Sequence, residues 1–267
     1  MPYVETNGIR MYYEECGAGD PLILIMGITA RGAAWEKHSA FWQNQFRCIA
    51  PDNRGVGCSG TPPGPYTSAM MADDYAGLMD RLGITQARVV GCSMGSIIAQ
   101  QLVLRHPERV RSMVLMCPWA RCDRYARDVF QHLVDCKARL RPEEFATFVQ
   151  LLIYAKPSWD DAALHGELIN ARRQAAVDPN PQPLHGLEAQ AAACVEHNAL
   201  ESLSNIRCPC LVVGGRSDIF TPVWMAEEIV ARIPHCDLHL YEGAGHAFHW
   251  ERLEDFNPRV LKWLLDH

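Results

Sequence analysis

The chain has 267 residues, 48% of them apolar, with 25 Lys and Arg against 31 Asp and Glu for a formal charge of −6. That length and apolar share suit a single α/β domain with an insertion and a large core, and exclude a disordered chain. The acidic balance and the lack of a basic block argue against a nucleic-acid partner, and every apolar run is too short for a membrane span.

Taken in chain order, Met1–Asn7 lacks the charged and apolar regions of a secretory signal. Tyr3–Glu5 and Ile9–Glu15 alternate as two antiparallel strands, with Asn7-Gly8 supplying a tight turn. Leu22–Met26 is a continuous apolar run, the pattern of a strand covered on both faces. A helix over Ala33–Gln45 and a strand over Arg47–Ala50 follow, then the Gly-rich turn Asp52–Gly60. That turn lacks the Lys-Ser/Thr of a phosphate-binding loop, so a structural role with Arg54 paired locally is expected.

A helix over Ser68–Leu82 leads to the run Arg88–Gln100. Here a β-branched strand breaks at Gly91, Ser93 stands between Gly91 and Gly95, and a helical pattern begins. A serine on so sharp a turn projects its hydroxyl clear of the sheet edge, and the helix that follows aims its first amides at the same point. Val110–Cys117 is a further buried strand, stopped by Pro118. Strand and helix alternate throughout, as in a mostly parallel, doubly wound sheet.

From Trp119 to Asn205 the strands disappear. Amphipathic stretches such as Tyr125–Arg139, Pro142–Tyr154 and Leu184–Leu200 replace them, punctuated by Asp178–Pro183. This predicts a helical insertion packed over the sheet rather than a separate domain. The strand pattern resumes at Cys210–Gly214 and Asp237–Tyr241, each followed by a helix. Asp218 and His246 then fall just past the C-terminal ends of these two strands, the edge at which ligand chemistry gathers in open α/β sheets. Ser93, Asp218 and His246 are thus expected to converge, in the chain order Ser, Asp, His.

The 11 cysteines are odd in number and scattered, several inside strand or helix patterns (Cys92, Cys117, Cys194). Cys208-Pro209-Cys210 does not have the C-x-x-C spacing of redox or zinc sites, so reduced thiols in a cytoplasmic protein are expected. No H-E-x-x-H and no Cys/His set with ligand spacing appears, and the expectation is no metal and no cofactor.

Together the strand ending at Met26-Gly27, the D-x-R-G-x-G-x-S turn of Asp52–Ser59, the Gly91–Gly95 elbow, the loop around Asp218 and the Gly245-His246 loop with Glu251 downstream resemble the α/β-hydrolase superfamily. The resemblance implies an α/β-hydrolase fold, with residues 1–118 and 206–267 as core and 119–205 as a helical cap after the sixth strand. It implies Ser93 as nucleophile, His246 as general base and then acid, Asp218 as the orienting carboxylate, and the N–H groups of Met94 and Ile28 as an oxyanion hole. Asp123 occupies the other place where this family puts its acid. His249 is read as a packing or rim histidine. Many relatives carry histidine where this chain has Met26, so another group must satisfy the backbone there.

Beneath the insertion, Gly27, Trp119, Trp159, Phe220, Ala247 and Phe248 are candidates for a largely apolar substrate pocket, although the insertion's aromatics serve equally for packing. The outline is similar to 3-oxoadipate enol-lactonases and small esterases. The expected function is a serine hydrolase acting on a small carboxylic ester or lactone through an acyl-enzyme. C–C bond hydrolysis, cofactor-free perhydrolysis with the same triad, and a ligand receptor with a vestigial triad are the alternatives. Epoxide and haloalkane chemistry would need a carboxylate in place of Ser93. A homodimer is compatible with the pattern, which does not require one.

Overall fold

A computed structural model describes residues 2–267. Eight strands form one sheet in the order β1-β2-β4-β3-β5-β6-β7-β8. They are β1 (Tyr3–Thr6), β2 (Ile9–Cys16), β3 (Asp20–Ile25), β4 (Phe46–Pro51), β5 (Ala87–Cys92), β6 (Val110–Met116), β7 (Cys210–Gly215) and β8 (Cys236–Tyr241). The β1–β2 and β2–β4 pairs are antiparallel, and every later pair is parallel. Leu22–Ile25 of β3, all of β5 and all but one residue of β6 are buried, which is why these stretches read as largely apolar runs.

Helices α1 (Glu36–Trp42), α2 (Ser68–Arg81), α3 (Met94–Arg105), α9 (Val223–Val230), α10 (Phe248–Glu251) and α11 (Leu253–Asp266) accompany the sheet. One apolar cluster centres on α2 and α3 and reaches the inserted helices; the other packs Trp35 and Trp42 against Phe248 and Phe256 on the opposite face. The expected helix over 33–45 is in fact a 3₁₀ turn (Gly32–Trp35) followed by α1. Gly32 sits against the β4 carbonyls, where a Cβ would lie 2.3 Å from the Ala50 oxygen. None of the helices of the described residues is long and apolar enough to cross a membrane.

Between β6 and β7 come α4 (Arg124–Arg139), α5 (Pro142–Ile153), α6 (Lys156–Asp160), α7 (Ala162–Ala176) and α8 (Leu184–Glu196). Their apolar faces meet one another and the sheet through Phe130, Leu133, Phe145 and Leu187. Helices α6 and α7 have no counterpart among the stretches singled out from sequence. Of the α7 residues only Leu168 is buried, so its amphipathic signal is faint.

The Asp52–Gly60 turn ties distant elements together. Asp52 accepts the Gly32 and Cys58 amides at 2.7 and 2.8 Å. Arg54, expected to pair within its own turn, instead reaches α2, where its Nε donates to Asp74 Oδ2 at 2.6 Å. Both side chains are almost wholly buried, at 5% and 1% exposure. Removing one partner strands a buried charge, so Arg54→Met should lower unfolding stability by about 3–5 kcal/mol in urea titrations, and Arg54→Met/Asp74→Leu should recover much of that loss.

Candidate active site

Ser93 stands between β5 and α3 with φ 54° and ψ −118°, a conformation that L-residues hold only under constraint. Three glycines make the constraint possible. A Cβ on Gly91 would lie 2.3 Å from the Gly95 carbonyl oxygen, one on Gly95 2.0 Å from that of Ile25, and one on Gly27 3.2 Å from Ser93 Cβ. The Ser93 amide donates to the Met116 carbonyl at 2.8 Å, and its own carbonyl accepts the Ser96 amide at 2.8 Å. Met94 is the first residue of α3, so its N–H has no acceptor within the helix.

The Met26 carbonyl accepts Asn53 Nδ2 at 2.9 Å, and Asn53 Oδ1 in turn accepts the Tyr75 hydroxyl at 2.8 Å. The turn after β4 thereby holds the strand end next to Gly27, without a histidine at position 26.

Asp218 lies in the loop after β7. Its Oδ1 accepts the Phe220 and Thr221 amides at 2.8 and 2.9 Å, and its Oδ2 accepts the Thr221 hydroxyl at 2.7 Å. Oδ2 also meets His246 Nδ1 at 2.8 Å, so Nδ1–H is the donor and Nε2 carries the free lone pair. Burial alone would lower the His246 pKa, but the Asp218 charge and hydrogen bond more than offset it and leave the pKa raised. Cys117, at φ 49°, donates its thiol to the His246 carbonyl at 3.0 Å. Glu251 holds the histidine loop by accepting the amides of Gly245 (2.6 Å) and Ala155 (2.8 Å), which links it to the end of α5. Asp123 is elsewhere, capping α4 by accepting the Ala126 amide at 2.7 Å.

Ser93 and His246 border one cavity of about 190 Å³. Its inserted-helix wall is apolar, made by Leu133 of α4 and by Val149, Leu152 and Ile153 of α5. Beside such an apolar wall an interaction between charges is stronger than in bulk water. A nucleophilic hydroxyl, an imidazole oriented by a carboxylate and a helix N-terminus together can carry out acyl transfer.

The sequence model of the alpha/beta hydrolase fold matches residues 20–253. The chain belongs to the α/β-hydrolase fold family. A Mycobacterium tuberculosis protein provisionally named non-heme bromoperoxidase BpoC is 34% identical over 261 residues, covering 96% of this chain and 97% of that one. An Azorhizobium caulinodans protein provisionally named carbamate hydrolase RutD is 29% identical over 264 residues, covering 98% and 97%. Among solved structures, a thermophilic esterase from Thermogutta terrifontis superposes with a TM-score of 0.88 at 26% identity, covering 100% of this chain and 99% of that one.

In this α/β-hydrolase the cavity takes in Gly27, Ile28, Phe220 and Ala247 of the residues expected from sequence. Trp119, Trp159 and Phe248 lie outside its walls. Trp119 is core, its ring 5.6 Å from Phe130 and its carbonyl bound by Gln100. Phe248 faces the other side of the sheet, stacked on Tyr241 at 5.5 Å. Trp159 bends back to its own segment, donating Nε1 to the Tyr154 carbonyl at 3.4 Å. Thr221, unnoticed in the sequence, proves to be a ligand of both Asp218 and His246. Its signal was its place three residues after the aspartate, where a turn amide and hydroxyl reach back.

His249 belongs to the pocket wall and to a buried chain at once. Asn257 Nδ2 donates to the Lys37 carbonyl, so its Oδ1 accepts His38 Nδ1–H at 2.6 Å. His38 Nε2 must then accept His249 Nδ1–H at 2.9 Å, which leaves His249 Nε2 facing the Cys92 thiol at 3.8 Å. Burial presses His38 down to about 4 and His249 well below the ordinary value, and burial also takes His197 to about 3. A histidine with a lowered folded pKa takes up its proton on unfolding, so its stabilisation is complete above pH 6.5 and is lost as pH falls. Urea unfolding at pH 6.5, 5.8 and 5.0 should show stability declining with a slope that steepens toward about 1.4 kcal/mol per pH unit for each of these histidines near pH 5. A flat profile would contradict the neutral buried chain.

Proposed function

We propose that the protein is a serine hydrolase of small carboxylic esters or lactones, working through an acyl-enzyme. The observation that carries this is Ser93 on its constrained turn in the same cavity as His246, whose Nδ1 is fixed on Asp218 at 2.8 Å. With Nδ1–H committed, Nε2 is the atom left to take the Ser93 proton as Oγ attacks the carbonyl and to return it to the leaving oxygen. The Met94 and Ile28 amides serve the developing oxyanion, each such donor contributing on the order of 10²–10³ in rate. Deacylation repeats the sequence with water. The helices of residues 119–205 act as the cap that keeps the cavity dry. The T. terrifontis esterase, 26% identical over the whole chain, supports the ester reading.

A second reading, perhydrolysis, is favoured by the name of the 34% identical M. tuberculosis relative. In it, peroxide replaces water at the acyl-enzyme and releases a peracid that oxidises halide, so the same three residues serve both chemistries.

A fluorophosphonate probe should label Ser93, and Ser93→Ala should abolish both labelling and p-nitrophenyl butyrate hydrolysis; full esterase activity in Ser93→Ala would end the proposal. Bromide oxidation in acetate and peroxide that exceeds ester turnover would shift it to perhydrolysis. Because the neutral imidazole is the base, kcat/KM should fall as pH drops through a value above the ordinary histidine 6.5. In Asp218→Asn that inflection should move to lower pH and kcat drop about 10⁴-fold.

A further inference from the structure

Two thiols meet beside the nucleophile. Cys92 directly precedes Ser93 and lines the same cavity, and Cys117 follows the last residue of β6. The β5–β6 register pairs Cys92 with Met116, one residue short of Cys117. Neighbouring strands lie about 4.8 Å apart and a residue advances about 3.3 Å, which sets the two cysteine Cα atoms about 6 Å apart, within the roughly 4.4–6.8 Å that a disulfide spans. Strand alternation would send the Cys117 side chain to the face opposite that of Met116. Its left-handed φ of 49° breaks the alternation, and Cys92, Met116 and Cys117 all belong to one apolar cluster. The backbone is pinned on both sides: the Cys117 amide donates to the Val213 carbonyl at 3.0 Å, and the Ser93 amide to that of Met116 at 2.8 Å.

The two sulfurs differ in reactivity. Cys92, its thiol facing His249 Nε2 at 3.8 Å, has its pKa lowered by Cys117 and by His246 against the cost of burial. Burial, and then contact with Cys92, hold the Cys117 pKa well above the ordinary value, and its thiol rests on the His246 carbonyl at 3.0 Å. A sulfur with thiolate character on a cavity wall, with a second thiol behind it, has the chemistry of a peroxide-reactive site. Two other cysteine pairs face each other across the sheet, Cys16 with Cys48 and Cys210 with Cys236. The first borders a separate recess, and the second lies between β7 and β8.

We propose that Cys92 and Cys117 form a hydroperoxide-oxidisable thiol pair in the wall of the catalytic cavity, and that their disulfide shuts the Ser93 site. The Cys92 sulfur attacks one peroxide oxygen, the O–O bond breaks, and the hydroxide released takes the Cys92 proton as water, leaving a sulfenic acid. The Cys117 sulfur then attacks the Cys92 sulfur, the S–O bond breaks, and the departing hydroxyl takes the Cys117 proton as a second water. The two thiols together lose two electrons, and hydrogen peroxide gains them. Bonding at about 2.05 Å draws the Cys117 sulfur off the His246 carbonyl and pulls on the residue that precedes Ser93. The oxidant comes from solution, so the pair does not depend on which acyl chemistry Ser93 performs.

The test treats the intact protein with hydrogen peroxide, maps its digests without reductant, and follows p-nitrophenyl butyrate hydrolysis. A linked Cys92–Cys117 peptide should form. Turnover should fall about 10²-fold, the cost of misplacing a reacting group by about 1 Å, and return with dithiothreitol. Each variant is compared with its own untreated rate. Cys92→Ala should keep that rate through the treatment, and Cys117→Ser should halt at a Cys92 sulfenic acid that dimedone traps. A Cys92 left unlinked at peroxide levels that oxidise the exposed Cys58, or a linkage that leaves turnover unchanged, would overturn the proposal. So would equal inactivation of wild type and Cys92→Ala. Fluorophosphonate labelling of the reduced protein tests the serine-hydrolase reading separately. If reduced wild type cleaves no ester, the presence or absence of the linked peptide decides for or against the thiol pair.

Discussion

Backbone can approach backbone at the end of β5 only where side chains are missing, and the site depends on that approach. Gly91 and Gly95 let the turn fold onto itself and onto the Ile25 carbonyl, while Gly27 faces Ser93 directly. The strained Ser93 backbone is tolerated because hydrogen bonds on both sides over-determine it, at a cost of order 1–3 kcal/mol. The same geometry starts α3 at the very next residue, so an unpaired helix amide lies beside the hydroxyl. A methyl group at Gly91 or Gly95 would collide with backbone oxygens and force the turn that carries Ser93 to shift.

Around that fixed point the molecule sorts its histidines by environment. His246 has a carboxylate that is itself held by two amides and a hydroxyl, so it can accept a proton. His38, His249 and His197 have neutral partners and a dry setting, so they remain uncharged. Protonating the His38–His249 pair would leave a charge without an acceptor next to Cys92. The chain from Asn257 to Cys92 therefore forms a neutral, hydrogen-bonded part of the cavity wall.

The inserted helices contribute the roof and tie it to the chemistry. Glu251 joins the histidine loop to the end of α5, and Gln190 joins α8 to the Thr29 amide at 3.2 Å and to the Arg54 carbonyl at 2.8 Å. The roof is thus hydrogen-bonded to loops on both sides of the crevice.

The sequence by itself determined the chain order of the strands, the position of the inserted helical segment, and the loops past the strand ends that carry Ser93, Asp218 and His246. Each of these has a local cause: periodicity, a glycine that a turn demands, or a place just beyond a strand. It also showed that Met26 would need a substitute partner, though not which one. Only the tertiary structure decided that Asn53 fills that need and that Arg54 pairs with Asp74 rather than within its turn. It likewise decided that Trp119, Trp159 and Phe248 pack away from the cavity while Leu133, Val149 and Ile153 shape it. An aromatic in an amphipathic stretch looks the same whether it faces the core or a ligand. The difference lies in which elements pack across from it, and that information belongs to contacts between residues far apart in the chain.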